Sequence, residues 1–273
     1  KVAVLGAGVM GAQIAGHFAN AGIPGLLYDI NQELAQKGVD GLTKMKPAPL
    51  YKPKNADLVE ACNYDEHLKK LNEVDLVIEA VAERLDIKHA VYNNIVPHLK
   101  ESVIMTSNTS GIPLSDLISV LPAHLKKRFM ITHFFNPPRY MRLLELIKGP
   151  DTDEAVYEMI AEFGEDVLGK GIVHAKDTPN FIGNRIGVLG MSVTMNTAMK
   201  NGLTVEEVDK LTGTVIGRPK SATFRTADVV GLDTMINVSN TSYKNLPDDE
   251  EREEFKIPTF LQKLVDDGNL GAK

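Results

Sequence analysis

The stretch VAVLGAGVMG at residues 2–11 decides the fold, together with the Ile14 and Phe18 that follow it. A short apolar run bounded by glycine is typical of a strand buried on both faces. Ile14 and Phe18 lie one helical turn apart, so they indicate a helix directly after the glycines. The sequence therefore predicts a strand, a glycine-rich turn and a helix in succession.

The glycines of this stretch have distinct roles in such a turn. Gly6 permits a tight turn, Gly8 lets the backbone approach a pyrophosphate, and Gly11 lets the helix pack closely. The helix begins at Val9 and Met10, and its N-terminus supplies oriented N–H groups to phosphates. The pattern predicts a dinucleotide site that includes all five residues. The alternative is that the three glycines only form a turn.

An acidic residue follows the second predicted strand. This strand covers residues 26–28 and ends in Asp29, about 20 residues after the glycines. A carboxylate at this point accepts hydrogen bonds from an adenosine ribose and would repel a 2′-phosphate. The sequence therefore predicts NAD rather than NADP as the cofactor.

Apolar runs alternate with helical patterns over the first two thirds of the chain, as in a doubly wound sheet. Further strands are predicted at 58–61, 76–80, 103–107, 129–134, 143–147 and 172–175. From Asn180 onward only helical patterns occur, including a Thr204 and Glu207 capping box and a short helix at 260–265.

The predicted fold class is thus α/β, a Rossmann-like, doubly wound, mostly parallel sheet followed by an all-α C-terminal domain. We place an NAD-binding domain at residues 1–178. A helical domain at 179–273 would contribute to the substrate cleft, and the segment 176–185 would link the two.

Composition excludes several classes of protein. The chain has 273 residues and a formal net charge of −6, without a basic stripe, which argues against a nucleic-acid partner. No apolar stretch approaches the ~20 residues of a membrane span. The single cysteine, Cys62, has no partner for an internal disulfide and no neighbours at metal-ligand spacing. We therefore expect no metal site and a reducing compartment, so a cytoplasmic protein.

A titratable pair lies at the end of two neighbouring predicted strands. His133 is in the segment ITHFFNPP, residues 131–138, and Glu145 is alone in the apolar run 143–147. Free imidazole titrates near ~6.5, and a carboxylate partner fixes its tautomer. The pair could therefore exchange a proton with an alcohol. The alternatives are a packed core histidine, and a buried acid paired with a distant Arg or Lys.

Two polar segments follow apolar strands where ligands bind in such a sheet, outside the carboxyl ends of the strands. One is IEAVAE, residues 78–83, with Lys88 five residues on. The other is TSNTSG, residues 106–111, whose short side chains suit a nicotinamide ribose or a substrate oxygen, or simply a turn. The proline-interleaved lysines Lys44, Lys46, Lys52 and Lys54 could meet an anionic ligand, or form a solvated loop. The acidic stretch 248–254 is expected to be an exposed loop or helix start.

Five motifs in order carry a family resemblance. They are Gly-Ala-Gly-Val-Met-Gly, Ile-Glu-Ala-Val-x-Glu, Ser-Asn-Thr-Ser, His-Phe-Phe-Asn-Pro and Lys-Asp-Thr-Pro-x-Phe-Ile-x-Asn-Arg. Together they span nearly the whole chain, which resembles the L-3-hydroxyacyl-CoA dehydrogenases of fatty acid β-oxidation. The resemblance implies an NAD-dependent oxidation of the 3-hydroxyl of an acyl-CoA thioester to the ketone.

The resemblance also implies roles for individual residues. His133 matches the catalytic base, Glu145 its orienting partner, and Ser110 and Asn184 the groups that contact substrate. The cofactor residues, predicted from the glycine motif and the resemblance together, are Gly6, Gly8, Val9, Met10, Gly11, Asp29, Ala80, Val81, Glu83, Lys88, Asn108, Ser110 and Asn136.

Several interpretations stay open beside this one. The same scaffold serves short-chain 3-hydroxybutyryl-CoA dehydrogenases and dehydrogenases of free hydroxy acids, and an NAD-binding structural or sensor protein could keep the fold without chemistry. The chain begins at Lys1 on a strand and stops at 271–273, where many members of the family continue into a Thr-Gly-x-Gly-Phe-Tyr-like tail. These ends lead us to expect a portion of a larger, multifunctional β-oxidation protein, as an alternative to the homodimer, formed through the helical domain, that the resemblance implies.

Overall fold

The computed structural model describes residues 1–272 and divides the chain into two compact units, with the boundary between Asp177 and Thr178. All strands of the described residues lie in the first unit. They are β1 (Val2–Leu5), β2 (Gly25–Asp29), β3 (Val59–Asn63), β4 (Leu76–Glu79), β5 (Ile104–Ser107), β6 (Phe129–Phe134), β7 (Leu143–Lys148) and β8 (Gly171–Ala175).

The eight strands form one sheet in the order β3-β2-β1-β4-β5-β6-β7-β8. Strands β1 to β6 pair in parallel, β7 is antiparallel to β6, and β8 is parallel to β7. The chain order reverses on either side of β1, so the carboxyl ends of β1, β2 and β4 surround a topological switch point. Ligands bind at such a point in open α/β sheets.

Helices cover the sheet of the first unit. They are α1 (Val9–Asn20), α2 (Gln32–Gly41), α3 (Leu85–Ile95), α4 (Leu114–Leu117), α5 (Ala123–Lys126) and α6 (Glu154–Asp166). The core joins α1 and α6 to the strands: Ile14 and Phe18 are buried with Val4 of β1 and Leu146 of β7. This packing fixes the glycine-rich turn at the start of α1 against the sheet.

The second unit is helical over its described residues. It contains α7 (Gly183–Lys200), α8 (Val205–Thr212), α9 (Phe224–Val230), α10 (Leu232–Asn245) and α11 (Thr259–Asp266). Its own core contains Met195, Ala227, Met235 and Leu261.

The structure confirms the predicted fold class and most of the predicted elements. Strand β3 begins one residue and ends two residues later than predicted, because Leu58 closes a 3-10 turn at Pro53–Leu58. The Thr204–Glu207 capping box is present at the start of α8, with both hydrogen bonds made. The short helix predicted at 260–265 is α11.

The acidic stretch 248–254 confirms the prediction of an exposed loop or helix start, except at Asp249. It forms turns and the beginning of a 3-10 turn, and the side chain of Asp249 is buried, where it accepts a hydrogen bond from Arg185. The reason is that Arg185, in the first turn of α7, supplies an opposite charge that the local acidic pattern does not reveal.

Residues 1–272 lack two features, a membrane-spanning helix and a cluster of metal ligands. No helix in this range is long and apolar enough to cross a membrane. No group of three His, Cys, Asp or Glu side chains in the same range is arranged to hold a metal ion.

Candidate active site

The glycine-rich turn after β1 has the geometry that a dinucleotide requires. Gly6 has a φ of +99°, and a Cβ there would lie 2.6 Å from the carbonyl oxygen of Ala80. A Cβ at Gly11 would lie 1.8 Å from the carbonyl oxygen of Gly6. By contrast, the position that a Cβ would take at Gly8 has no atom within 4 Å from outside Gly8 and its immediate chain neighbours. Gly6 and Gly11 therefore leave no room for a side chain, whereas Gly8 faces open space.

The N-terminus of α1 adds the second element of this site. Gly8 is its N-cap residue, no side chain caps the helix, and no acidic residue lies in the first turn. The first N–H groups of a helix have no intrahelical partners and carry a partial positive charge. Val9 is exposed and Met10 half-buried at this end, so the residues present fit the pyrophosphate of a dinucleotide.

Asp29 ends β2 beside this turn. Its Oδ2 accepts a hydrogen bond from the Ala7 backbone N–H at 2.7 Å, and its Oδ1 accepts one from Ile30 at 2.7 Å. The side chain is half-buried. These bonds hold the carboxylate next to the glycine-rich turn, which fits its predicted contact with an adenosine ribose.

The predicted acid–base pair is formed across the antiparallel strands. His133 of β6 and Glu145 of β7 are register partners, and His133 Nδ1 lies 2.7 Å from Glu145 Oε2. Both side chains are buried, and the ring of Phe135 lies 4.5 Å from the imidazole, centroid to centroid. Because directly opposed side chains in a sheet share one face, the strand pairing itself brings the two groups together.

Two predicted cofactor residues lie next to this pair. The Asn108 side chain accepts a hydrogen bond from the Phe134 backbone N–H at 2.9 Å, at the end of the strand that carries His133. Asn136 is exposed, and its side-chain oxygen accepts a hydrogen bond of 3.1 Å from Gln13 of α1. Asn108, which follows β5, is thus bonded to the end of β6, and Asn136, which follows β6, is bonded to α1.

Lys88 lies deeper than its predicted role suggests. It is buried in α3, and its ammonium lies 2.7 Å from Glu79 Oε1 and 3.1 Å from Glu83 Oε2. Ala80 and Val81, which follow Glu79, are half-buried. Ser110 lies in the turn after β5 beside Glu83.

Glu79 lies in the predicted polar segment 78–83, but its own role in the site was not predicted. Its buried carboxylate accepts hydrogen bonds from the side chains of Lys88, Tyr92 and Ser107 and from the Val81 backbone N–H. The signal available was a lone acid at the end of an apolar strand, the same pattern that singled out Glu145. What the sequence lacked was the identity of the donors, which come from three separate elements.

Asn184 lies in the second unit, in the first turn of α7, and is half-buried. Near it, Asn180 and Phe181 have φ values of 61° and 49°, in the left-handed region. The Asn180 amide donates hydrogen bonds to Val238 and Ser242 of α10, which support this uncommon backbone.

The lysine-rich segment 44–54 is irregular and ends in the 3-10 turn, and its four lysines are exposed. It is held in place by Arg139, whose guanidinium donates to the carbonyls of Ala48 and Leu50 at 2.7 and 2.6 Å. The segment is therefore anchored to the connection between β6 and β7 while its charges face solvent. Both interpretations of these lysines stay open.

A second buried histidine, His17 of α1, was not singled out from the sequence. Its Nε2 donates to the Leu168 carbonyl at 3.0 Å, and its Nδ1 has no partner among residues 1–272. Burial, together with the charge of Lys170, lowers the pKa of His17 to about 4. Burial also lowers the pKa of Lys170 to about 8, although its ammonium donates to the carbonyls of Pro138 and Met141.

Two protein-family models match this chain. The family model described as "3-hydroxyacyl-CoA dehydrogenase, NAD binding domain" matches residues 1–178. The model described as "3-hydroxyacyl-CoA dehydrogenase, C-terminal domain" matches residues 181–273.

Individual proteins give the same result. A probable 3-hydroxyacyl-CoA dehydrogenase of Bacillus subtilis is 44% identical over 294 residues, which cover 100% of this chain and 37% of that protein. One from Deinococcus radiodurans is 45% identical over 280 residues, with 100% and 80% covered. The crystal structure of the (S)-3-hydroxybutyryl-CoA dehydrogenase PaaH1 of Ralstonia eutropha matches with a TM-score of 0.83 and 29% identity, covering 99% of this chain and 94% of that one.

The fold and the site define an NAD-binding α/β protein with a buried histidine–glutamate pair on two neighbouring strands of its sheet. The chain belongs to the 3-hydroxyacyl-CoA dehydrogenase family of oxidoreductases, and residues 1–178 match its NAD-binding domain. The resemblance predicted from the five motifs and the predicted cofactor are thus confirmed. The chain spans little more than a third of the Bacillus subtilis relative but four fifths of the Deinococcus radiodurans one.

Proposed function

We propose that this chain catalyses the NAD-dependent oxidation of an L-3-hydroxyacyl-CoA to the 3-ketoacyl-CoA in fatty acid β-oxidation. The observation that carries the proposal is the 2.7 Å hydrogen bond between His133 and Glu145, made in a buried setting on opposed strands. It is supported by family membership and by a glycine-rich turn that fits a dinucleotide.

His133 and Glu145 would have separate roles in the proton transfer. The His133 Nδ1–H donates to Glu145, which fixes the tautomer and makes Nε2 the nitrogen that takes the hydroxyl proton. Glu145 also stabilises the imidazolium that forms, as an acid partner does in hydrolase triads. NAD supplies the redox chemistry of the reaction. In the reverse direction, protonated His133 polarises the ketone of the substrate.

Ser110 and Asn184 are proposed to contact the substrate, as the family resemblance implies. Each contributes a side chain able to hydrogen-bond an acyl oxygen. Gly6, Gly8, Val9, Met10 and Gly11 are proposed to hold the pyrophosphate, and Asp29 the adenosine ribose. Ala80, Val81, Lys88, Asn108, Ser110 and Asn136 are proposed to line the remainder of the cofactor site. Glu83, which the resemblance also placed there, lies beside them and accepts hydrogen bonds from the turn that carries Ser110.

The test is NADH oxidation with acetoacetyl-CoA, run beside longer 3-ketoacyl-CoA substrates and free acetoacetate. We expect turnover with the thioesters, no turnover with the free acid, and a strong preference for NADH over NADPH because of Asp29. Replacing Asp29 by Ser should relax the cofactor preference and leave thioester selectivity unchanged. Turnover of free acetoacetate at a comparable rate would contradict the proposal.

A short-chain 3-hydroxybutyryl-CoA preference is the second candidate, favoured by the similarity to the Ralstonia eutropha enzyme. An extra methylene in an apolar pocket changes binding by only about 1–3 kcal/mol, so chain length is set by pocket shape. The chain-length series separates the two: rates that fall steeply beyond four carbons favour the short-chain enzyme.

We further propose that residues 1–178 and 179–273 are separate domains and that the second one mediates assembly. Exposed apolar side chains support this: Ile186 and Val193 lie on one face of α7, and Val215 is 74% exposed. A second copy of the chain would cover them. Light scattering should show a dimer that Ile186→Asp disrupts, whereas a monomeric wild type would favour association with other parts of a longer chain. A cytoplasmic location stays a prediction that rests on the buried, unpaired Cys62.

A further inference from the structure

The carboxylate of Glu83 accepts hydrogen bonds from the turn that carries Ser110. We call the hydrogen bonds from Thr109, Ser110 and Gly111 to Glu83 the grip. One oxygen, Oε1, accepts a hydrogen bond from the Thr109 hydroxyl at 2.5 Å, from the Ser110 N–H at 2.9 Å and from the Gly111 N–H at 3.3 Å. Three consecutive residues therefore share one acceptor. A carboxylate that binds backbone N–H groups makes charge-assisted bonds, which are stronger than neutral ones.

The other oxygen of Glu83 forms an ion pair with a buried lysine. Its Oε2 lies 3.1 Å from the Lys88 ammonium, which is 1% exposed and lies 2.7 Å from Oε1 of the fully buried Glu79. Glu79 in turn accepts from Ser107, the last residue of β5, at 2.6 Å. A chain of charged contacts thus runs from the end of β5 through Glu79, Lys88 and Glu83 back to the turn after β5.

This network keeps Glu83 ionised. Burial works to raise the pKa of Glu83, but the charge of Lys88 and the donors on the turn outweigh it and lower the pKa below its ordinary value. The Glu83 side chain is 45% exposed, so solvent screens part of this effect.

The grip fixes the backbone of Ser110 but does not use its side chain. Thr109 is fully buried, and its hydroxyl also accepts from the Ile112 N–H at 3.1 Å. The Ser110 hydroxyl makes no hydrogen bond within residues 1–272. A rigid backbone with an uncommitted hydroxyl is the arrangement expected of a group that orients a substrate.

We propose that Glu83 is a positioning residue that fixes Ser110 for substrate, with Lys88 and Glu79 as its support, and that its main role is not contact with the cofactor. The role of Ser110 rests on the proposed function. The positioning itself is a property of the turn, so it can be tested without turnover.

The experiment compares Glu83→Gln and Glu83→Ala with the wild-type chain. The matched control is Asp86→Asn, because Asp86 is an exposed carboxylate three residues away that pairs with Arg84. Amide hydrogen exchange of Ser110 and Gly111, measured by NMR, reports the grip directly. We expect exchange at least ~10-fold faster in Glu83→Ala, an intermediate effect in Glu83→Gln, and no change in Asp86→Asn.

Kinetics on the same variants give the second readout. We expect kcat/KM for acetoacetyl-CoA to fall about 10²-fold in Glu83→Ala and about 10-fold in Glu83→Gln, because small misplacements of a positioned group cost that much. The Kd for NADH should change less than about 2-fold, a split that a cofactor ligand would not give. If Glu83→Ala does not fold, Thr109→Val is used in its place in both measurements, because this substitution removes one hydrogen-bond donor of the grip.

Two results would overturn the proposal. One is unchanged exchange at Ser110 and Gly111 in Glu83→Ala, and the other is a loss of NADH affinity as large as the loss of kcat/KM. If the wild type turns over no acyl-CoA, the proposed function fails, and the amide exchange of Ser110 and Gly111 alone tests the positioning role of Glu83. Faster exchange in Glu83→Ala then supports that role, and unchanged exchange rejects it.

Discussion

Two buried histidines of the first unit have opposite surroundings. His133 is 4% exposed and His17 is 5% exposed, so burial does not distinguish them. The Nδ1 of His133 is hydrogen-bonded to the carboxylate of Glu145. The Nε2 of His17 is hydrogen-bonded to the neutral carbonyl of Leu168, and the cation Lys170 is nearby. The partner, and not the burial, decides what each ring can do.

The contrast has a simple electrostatic basis. A buried imidazolium is stabilised by an adjacent carboxylate and destabilised by an adjacent ammonium. His17 is accordingly held neutral, with a pKa of about 4, and serves as a hydrogen-bond donor between α1 and the segment before β8. His133 has the partner that proton exchange with substrate requires.

Replacing His133 by Gln should have the largest effect on activity. Positioned acid–base groups contribute about 10²–10⁴ in rate, and we expect kcat to fall within that range. NADH binding, measured by fluorescence titration, should be unchanged because the dinucleotide residues are untouched. The matched variant His17→Gln should keep kcat within about 2-fold, and a comparable loss in both variants would remove the distinction between the two histidines.

Glu145→Gln should have the next largest effect. The amide keeps the size of the side chain but removes the charge that stabilises the imidazolium, so we expect kcat to fall about 10²-fold. Circular dichroism would establish that the variant is folded. Wild-type kcat in Glu145→Gln across the pH range would contradict the claim that the partner of each histidine decides what its ring can do.

His17 should instead determine part of the acid stability. Its pKa is about 4 in the folded chain and 6.5 ordinarily. The unfolded chain therefore binds the proton first, and stability is lost as the pH falls from 6.5 towards 4. The loss attributable to this group reaches about 3 kcal/mol. Urea unfolding of the wild type and His17→Gln between these pH values should show a smaller acid loss in the variant, and parallel curves would contradict the account.

Removing the cation near His17 should have the smallest effect. In Lys170→Met the pKa of His17 should rise above about 4, but stay below 6.5 because burial is the larger cause. NMR titration of the His17 ring protons, assigned by their absence in His17→Gln, measures this directly. No upward movement would mean that Lys170 does not act on His17.

Most of the fold could be predicted from sequence because its signals are local. The parallel strands β1, β2, β4, β5 and β6 are almost entirely buried and so appear as apolar runs, and the glycine-rich turn fixes the first strand and helix. The family motifs then predicted the roles of His133 and Glu145. The antiparallel pairing of β6 and β7, which makes them direct neighbours, became visible only in the sheet register.

The features that the sequence did not reveal depend on distant partners. Glu79 was not separable from other acids until Lys88, Tyr92 and Ser107 were seen around it. Asp249 gave the pattern of a solvated acidic stretch because its partner Arg185 is 64 residues away. Local composition predicts burial of apolar groups well, but it does not reveal which buried charges find each other.

The most direct test of the account is a single-turnover measurement of NADH oxidation by acetoacetyl-CoA in the wild type, His133→Gln and His17→Gln. The account predicts rapid oxidation in the wild type and in His17→Gln, and a rate lower by about 10²–10⁴ in His133→Gln at saturating NADH. Equal rates in the wild type and His133→Gln would contradict it.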